Sequence, residues 1–435
     1  MSCPPTSALV SAPGPATRAR PRPFHGWKVV GAGATVLTLQ SALILQAFGN
    51  YAVILREQFG WSTTTISIAY SSNRAESGLL GPIQGWALDR FGSRRVMRVG
   101  ALIALVGFVW FSRMSTPVEF VISFFLISAG AGLAGFITVV SETVRWFERK
   151  RARALSASSV GIGIGGLVIP LVVLSMRHLG WRETALASGV LLVMLTFFVS
   201  RWFGYTPTEL GQRVDGDAPA PDDHGGTAPD TAWHFTAAEA VRTPAFWLLS
   251  FGHASALLVV GAVVAHLSLY LTSEQGYSLQ AASFVVAGIP IAQIAGMVIG
   301  GVLGDRMSKR WLAATAMGGH VAGLLLLTFA TAPWMIWAFV VLHGLAWGAR
   351  GPLMSAIRAD YFGSTSFAQI MGYSSVILMV GMVGGPLLAG ILADVTGDYR
   401  AGFTILAGLA ATGSLFFAAA RPPHRRACPD AAMPA

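Results

Sequence analysis

Long apolar runs dominate the chain, falling at about 28–54, 62–87, 99–114, 118–142, 155–176, 183–203, 245–272, 278–304, 311–331, 334–356, 366–392 and 401–420. Most are near the length a helix needs to cross the hydrocarbon core of a bilayer, and short polar segments separate them. The pattern predicts an all-α polytopic membrane protein with twelve transmembrane helices. The one long polar stretch, 205–240, is rich in Pro, Gly and Asp and divides six spans from six. Such a composition marks a linker. The expected organisation is a Pro-rich disordered tail (1–25), a six-helix bundle (26–204), the linker, a second six-helix bundle (241–421) and a short tail (422–435). At the end of the linker, Thr236 and Glu239 have capping-box spacing and predict a short interfacial helix leading into the seventh span.

Composition agrees with the pattern: 54% of residues are hydrophobic, 11% are charged, and the mean hydropathy is +0.60. A set of soluble domains is excluded. The formal charge of +10 first suggests nucleic acid, but the positions of the cations give it another meaning. With the N-terminus inside, 23 of the 30 Lys and Arg fall in cytoplasmic segments, five face out (Arg56, Arg113, Arg177, Arg182, Arg400), and Arg74 and Arg350 lie within spans. Cations are retained on the cytoplasmic side during insertion, so both termini and the linker are expected in the cytoplasm of a cell-membrane protein, with no nucleic-acid partner. The two cysteines, Cys3 and Cys428, sit in polar ends and imply no disulfide framework. No metal-ligand spacing and no P-loop occur, so no cofactor is expected and ATP is not the energy source.

The chain also repeats itself. Gly85 matches Gly301, Asp89 matches Asp305, Gly165 matches Gly381 and Pro170 matches Pro386, all 216 residues apart. Two six-helix halves in a parallel repeat around a central cavity are one way to build a transporter that works by alternating access.

The loop GWALDRFGSRR (85–95) and its echo GGVLGDRMSKR (300–310) closely resemble the loop signature of the major facilitator superfamily. GWKVVGAG (26–33), WFERKRARALSASSVGIGIGGLVIP (146–170) and GWRETA (180–185) are similar to the monocarboxylate-transporter and oxalate/formate-exchanger branch. That resemblance implies small organic anions as substrates, moved with a proton or by exchange. Eukaryotic members of the branch carry an Asp/Arg pair in the eighth helix, whereas the eighth span here has no ionisable residue before Asp305. The anion site is therefore expected elsewhere or is absent.

A charge at mid-bilayer is expensive, so it marks a partner or a wet cavity. Arg74 lies midway along the second span, with Tyr70, Asn73 and other polar residues at three- and four-residue steps around it. It either binds a substrate carboxylate or braces the two halves. Arg350 comes from the opposite half, flanked by Gly348, Gly351 and Pro352. It either joins that site or locks the inner gate. Glu76 points away from Arg74 on a helix and is either a proton carrier or a structural partner. His253, central in the seventh span, is a further substrate or proton candidate. Asp89, Arg90, Asp305 and Arg306 belong to the signature loops, where an acid facing a helix N-terminus stabilises one closed state by a breakable contact.

Together these features predict secondary transport of a small organic anion, most simply a monocarboxylate, with a proton or in exchange for another solute. The partners are that anion, a proton and the lipid bilayer. A proton-linked exporter of amphiphiles is the alternative within transport. A membrane-embedded sensor is the alternative outside it, although both polar segments are short for a folded output domain.

Overall fold

The computed structural model describes residues 23–61, 76, 78–217 and 235–423. All regular structure among them is helical. The first span comprises α1 (His25–Gln40), a π-helical stretch (Ser41–Gln46) and α2 (Ala47–Phe59). Then come α3 (Gly81–Phe91), α4 (Ser93–Arg113), α5 (Pro117–Ala134), α6 (Phe136–Trp146), α7 (Arg151–Leu179) and α8 (Trp181–Ser200). The second half holds α9 (Ala237–Val241), α10 (Pro244–Ser273), α11 (Leu279–Gly304), α12 (Lys309–Thr328), α13 (Pro333–Phe362), α14 (Phe367–Thr396) and α15 (Arg400–Ala419).

Among the described residues, ten helical stretches are long and apolar enough to cross a membrane, α1 to α2 and α5 to α6 each counting as one. α13, at 30 residues, is equally long but carries His343, Arg350 and Arg358. Only the end of the second span is described, as α3. Thr236 and Glu239 form the predicted capping box and start α9. The linker's beginning is not loose: the Asp215 carboxylate accepts hydrogen bonds from the backbone N–H groups of Arg149 (2.8 Å) and Lys150 (3.1 Å), just before α7.

Helix contacts within the halves repeat. A Cβ added at Gly161 in α7 would lie 2.2 Å from the Ala34 carbonyl oxygen in α1, and one at Gly381 in α14 would lie 2.2 Å from that of Ala254 in α10. Only glycine permits this approach of backbones, the usual means of close helix packing in lipid. Both pairs differ by 220 residues (381 less 161, 254 less 34), so packing pairs Gly161 with Gly381. The sequence register of 216, which pairs Gly165 with Gly381, is one helical turn off at this point. Local similarity within a Gly-rich run cannot distinguish adjacent turns. The packing does.

The halves meet along α3 against α14 and α7 against α11. A Cβ at Gly85 would lie 2.5 Å from the Ala368 carbonyl oxygen, and one at Gly301 would lie 2.8 Å from the Ser156 side chain. These two glycines do stand 216 apart, and both close the interface next to the two signature loops.

Candidate functional site

Each signature aspartate faces the start of a helix from the other half. The Ala152 N–H, in the first turn of α7, donates to Asp305 Oδ1 at 2.8 Å, and Arg153 Nε donates to Oδ2 at 2.8 Å. The helix N-terminus supplies unpaired N–H groups and partial positive charge, so the carboxylate is held twice over. Asp89, two residues past the apolar second span, faces the N–H and side chain of Gln369 in the first turn of α14 and the Arg145 guanidinium. Its Oδ2 is buried without a hydrogen-bond partner among the described residues. Burial outweighs those partners and pushes the Asp89 carboxyl up to about 6. The two aspartate contacts are thus symmetric in placement and unequal in strength. Arg90 and Arg306 are exposed. The cations that engage the aspartates are instead Arg145 and Arg153, and Arg151 and Lys309 reinforce the interface by sharing Asp360. Glu142 pairs with Arg145 at 3.0 Å, as their one-turn spacing suggests.

Arg350 lies on α13 with 1% of its surface exposed. It therefore does not snorkel to the membrane surface. Its Nε and Nη1 are buried with no hydrogen-bond partner among the described residues. His253, on α10, lies within electrostatic range of Arg350, and its Nδ1 also lacks a partner there. The structure thus groups these two candidates. Glu76 is buried and accepts a hydrogen bond from Gln84 Nε2 at 3.0 Å, within the first half. Tyr70, Asn73 and Arg74 lie outside the described residues.

Sequence reasoning missed two features. The apolar run that stops at 356 leaves Arg358 outside the tenth span, yet α13 continues to Phe362 and buries it to 1% exposure. Its eight-residue spacing from Arg350, close to two helical turns, was the available signal. The second feature is a contact between His320 of α12 and His343 of α13, whose Nδ1 atoms are 3.1 Å apart. Pairing across helices has no signature in one sequence.

Around Arg350 the described helices of its own half bring no carboxylate to Nε or Nη1. The spans of that half carry no Asp or Glu between Pro244 and Ser273, Leu279 and Gly304, or Lys309 and Thr328. In α13 the sole acid is Asp360, engaged at the far end by Arg151 and Lys309.

Known proteins place the chain. It is 26% identical over 426 residues to human monocarboxylate transporter 11, covering 95% of this chain and 86% of that protein. It is 24% identical over 339 residues to the oxalate:formate antiporter of Oxalobacter formigenes, covering 74% of each. The crystal structure of the E. coli fucose:proton symporter FucP superposes with a TM-score of 0.67 at 13% identity, covering 89% of this chain and 97% of that one. At that identity the superposition establishes the fold. The Major Facilitator Superfamily profile matches residues 34–292 and 249–433, spanning both halves and the loops that carry Asp89 and Asp305, so the chain belongs to the Major Facilitator Superfamily.

Proposed function

We propose that this transporter moves a small carboxylate, most simply a monocarboxylate, across the cell membrane by alternating access, with Arg350 as the anion-binding cation. The observation that carries the reading is the buried guanidinium with two unpartnered donors. Leaving a buried charge uncompensated costs several kcal/mol, a cost that an arriving carboxylate removes. The planar fork of Arg suits the two oxygens of a carboxylate better than an ammonium does. The relatives named above are a monocarboxylate transporter and an oxalate:formate antiporter, which is the same ligand chemistry.

In this reading His253 contributes from α10, and Arg74, with Tyr70 and Asn73, completes the site from the first half. Asp89 and Asp305 latch the halves on the side of the basic loops, with Arg90 and Arg306 adding positive charge there. The excess of Lys and Arg in those loops supports a cytoplasmic location for them and for both termini.

Uptake by proteoliposomes across formate, lactate, oxalate and succinate, with fucose as a neutral control, tests the proposal. Saturable uptake of at least one carboxylate, inhibited by the others, is expected. Uptake of none of them rejects it.

A further inference from the structure

His320 and His343 are both fully buried, with 0% of their surfaces exposed. Their Nδ1 atoms lie 3.1 Å apart. Two neutral imidazoles hold two N–H hydrogens between them. A contact of this length needs one of those hydrogens in it, donated by one ring and accepted by the other. The second hydrogen then sits on the Nε2 of the accepting ring, and the donating ring's Nε2 is a bare acceptor. Both Nε2 atoms are buried without hydrogen-bond partners among the described residues. The pair therefore presents one outward donor and one outward acceptor at its two ends, neither used by the fold.

An incoming proton has one place to go. It binds the bare Nε2 and leaves the Nδ1 contact intact, so the pair becomes a cation with three hydrogens. The shared hydrogen can then cross the 3.1 Å gap, and the extra proton can leave from the Nε2 of the other ring. Uptake and release through opposite ends suit a site that meets each side of the membrane in turn.

Burial first, and the surrounding charge after it, decide when the proton is held. The groups within electrostatic range of the rings are each other and Arg350. His343 and Arg350 are seven residues apart on α13, on the same face, and side chains tilt toward the helix N-terminus, which aims Arg350 at His343. Of the helices packed on this pair, α11 has no ionisable residue, α15 has only Arg400 at its start, and α10 carries His253, His266, which contacts Tyr399 and the Pro386 carbonyl, and Tyr270, which donates to the Leu327 carbonyl. Arg358, also on α13, is tied to Ser374, Met354 and Leu249. On α14 the ionisable residues are Tyr373 and, near its far end, Asp394; those of α7 lie in its terminal turns. No carboxylate among the described residues lies within electrostatic range of the pair, so with the anion site empty, Arg350 opposes a second positive charge. A carboxylate bound to Arg350 cancels that opposition, and by reciprocity a proton on the pair tightens the anion.

We propose that His320 and His343 form one proton-carrying site, coupled through Arg350 to anion occupancy, so that the transporter moves one proton with each carboxylate. The proposal rests on Arg350 being the anion site.

The test is proton uptake by purified protein in weakly buffered detergent solution on addition of formate, lactate or oxalate, together with anion affinity as a function of pH. Wild type is expected to take up about one proton per anion bound, with affinity rising up to about tenfold per unit fall in pH. His320→Gln and His343→Gln should bind anion with no uptake and a flat pH profile, while Glu76→Gln keeps the uptake. His320→Asn and His343→Asn replace a Gln variant that fails to fold. Wild-type binding without proton uptake overturns this coupling and leaves the anion site standing, as does uptake unchanged in the histidine variants. Binding of none of the three anions overturns the reading of Arg350 itself, and the coupling with it.

Discussion

Arg350 and Arg358 stand eight residues apart on one helix, each 1% exposed; among the described residues Arg358 is tied into the protein, whereas Arg350 Nε and Nη1 have no partner. Arg358 donates from Nε to Ser374 Oγ (3.2 Å), from Nη1 to the Met354 carbonyl (3.1 Å) and from Nη2 to the Leu249 carbonyl (3.4 Å). It thereby bridges α10, α13 and α14. Two identical side chains in nearly identical burial thus differ in their partners: Arg358 is a brace, and the role proposed for Arg350 is to meet a ligand.

Arg350→Gln should therefore weaken carboxylate binding without harming the fold. Hydrogen bonds to charged groups contribute roughly 1.5–3 kcal/mol, so a loss of about ten- to a hundredfold in affinity is expected. Arg350→Lys keeps the charge but loses the fork and should fall between. Removing an uncompensated buried cation should leave the melting temperature of the empty protein equal or higher. Calorimetry and thermal unfolding in detergent read both quantities, and an Arg350→Gln protein that binds normally but melts early would reverse the assignment.

For Arg358→Gln the opposite signature is expected. Each buried acceptor left without its donor costs roughly 1–3 kcal/mol, and the Ser250–Ser374 contact at 2.9 Å loses its neighbour. Melting should fall clearly while anion affinity in the folded fraction stays near wild type.

The helical spans were legible because they depend on hydropathy, which a chain displays residue by residue. Asp89 and Asp305 were legible because an acid in a basic loop stands out. Their cations were not: Arg145 and Arg153 look like ordinary loop charges until α3 and α11 are packed against the other half. Arg350 stood out as a charge inside an apolar run, whereas Arg358 was hidden by the ragged end of its run. The histidine pair was invisible because its two members look unrelated along the chain.

The packing register makes a prediction of its own. Gly161→Val and Gly381→Val each push a side chain into a backbone carbonyl, at a typical overpacking cost of roughly 1–3 kcal/mol or more, and should reduce folded yield to similar degrees. Gly318→Val, where a Cβ meets nothing within 4 Å, should be tolerated. Size-exclusion profiles of the three variants compare them directly. Tolerance at Gly161 with failure at Gly381 would break the equivalence of the two contacts.

The unequal aspartates predict gates that respond in opposite directions to the same substitution. In the closed interface burial raises the Asp89 carboxyl to about 6, from 3.8 when free. The closed arrangement therefore holds that proton more tightly than an open one does. Its contribution to closure is fully present below about 4 and is lost as pH rises through about 6. Asp89→Asn removes the charge that burial opposes, so it should hold the interface closed at pH 7 and slow turnover while leaving anion affinity little changed. Asp305 is different, because its carboxylate is matched by the Ala152 N–H and by Arg153, and Asp305→Asn removes the ion pair. That change should loosen the interface. Ser156→Cys, buried opposite Gly301, reports the opening through its rate of alkylation. Alkylation should slow with Asp89→Asn and quicken with Asp305→Asn, and the slowing should vanish when wild type is compared below pH 4.5. Quickening by both substitutions would mean that Asp89 is held by its partners rather than opposed by its burial, and the two gates would then be equivalent after all.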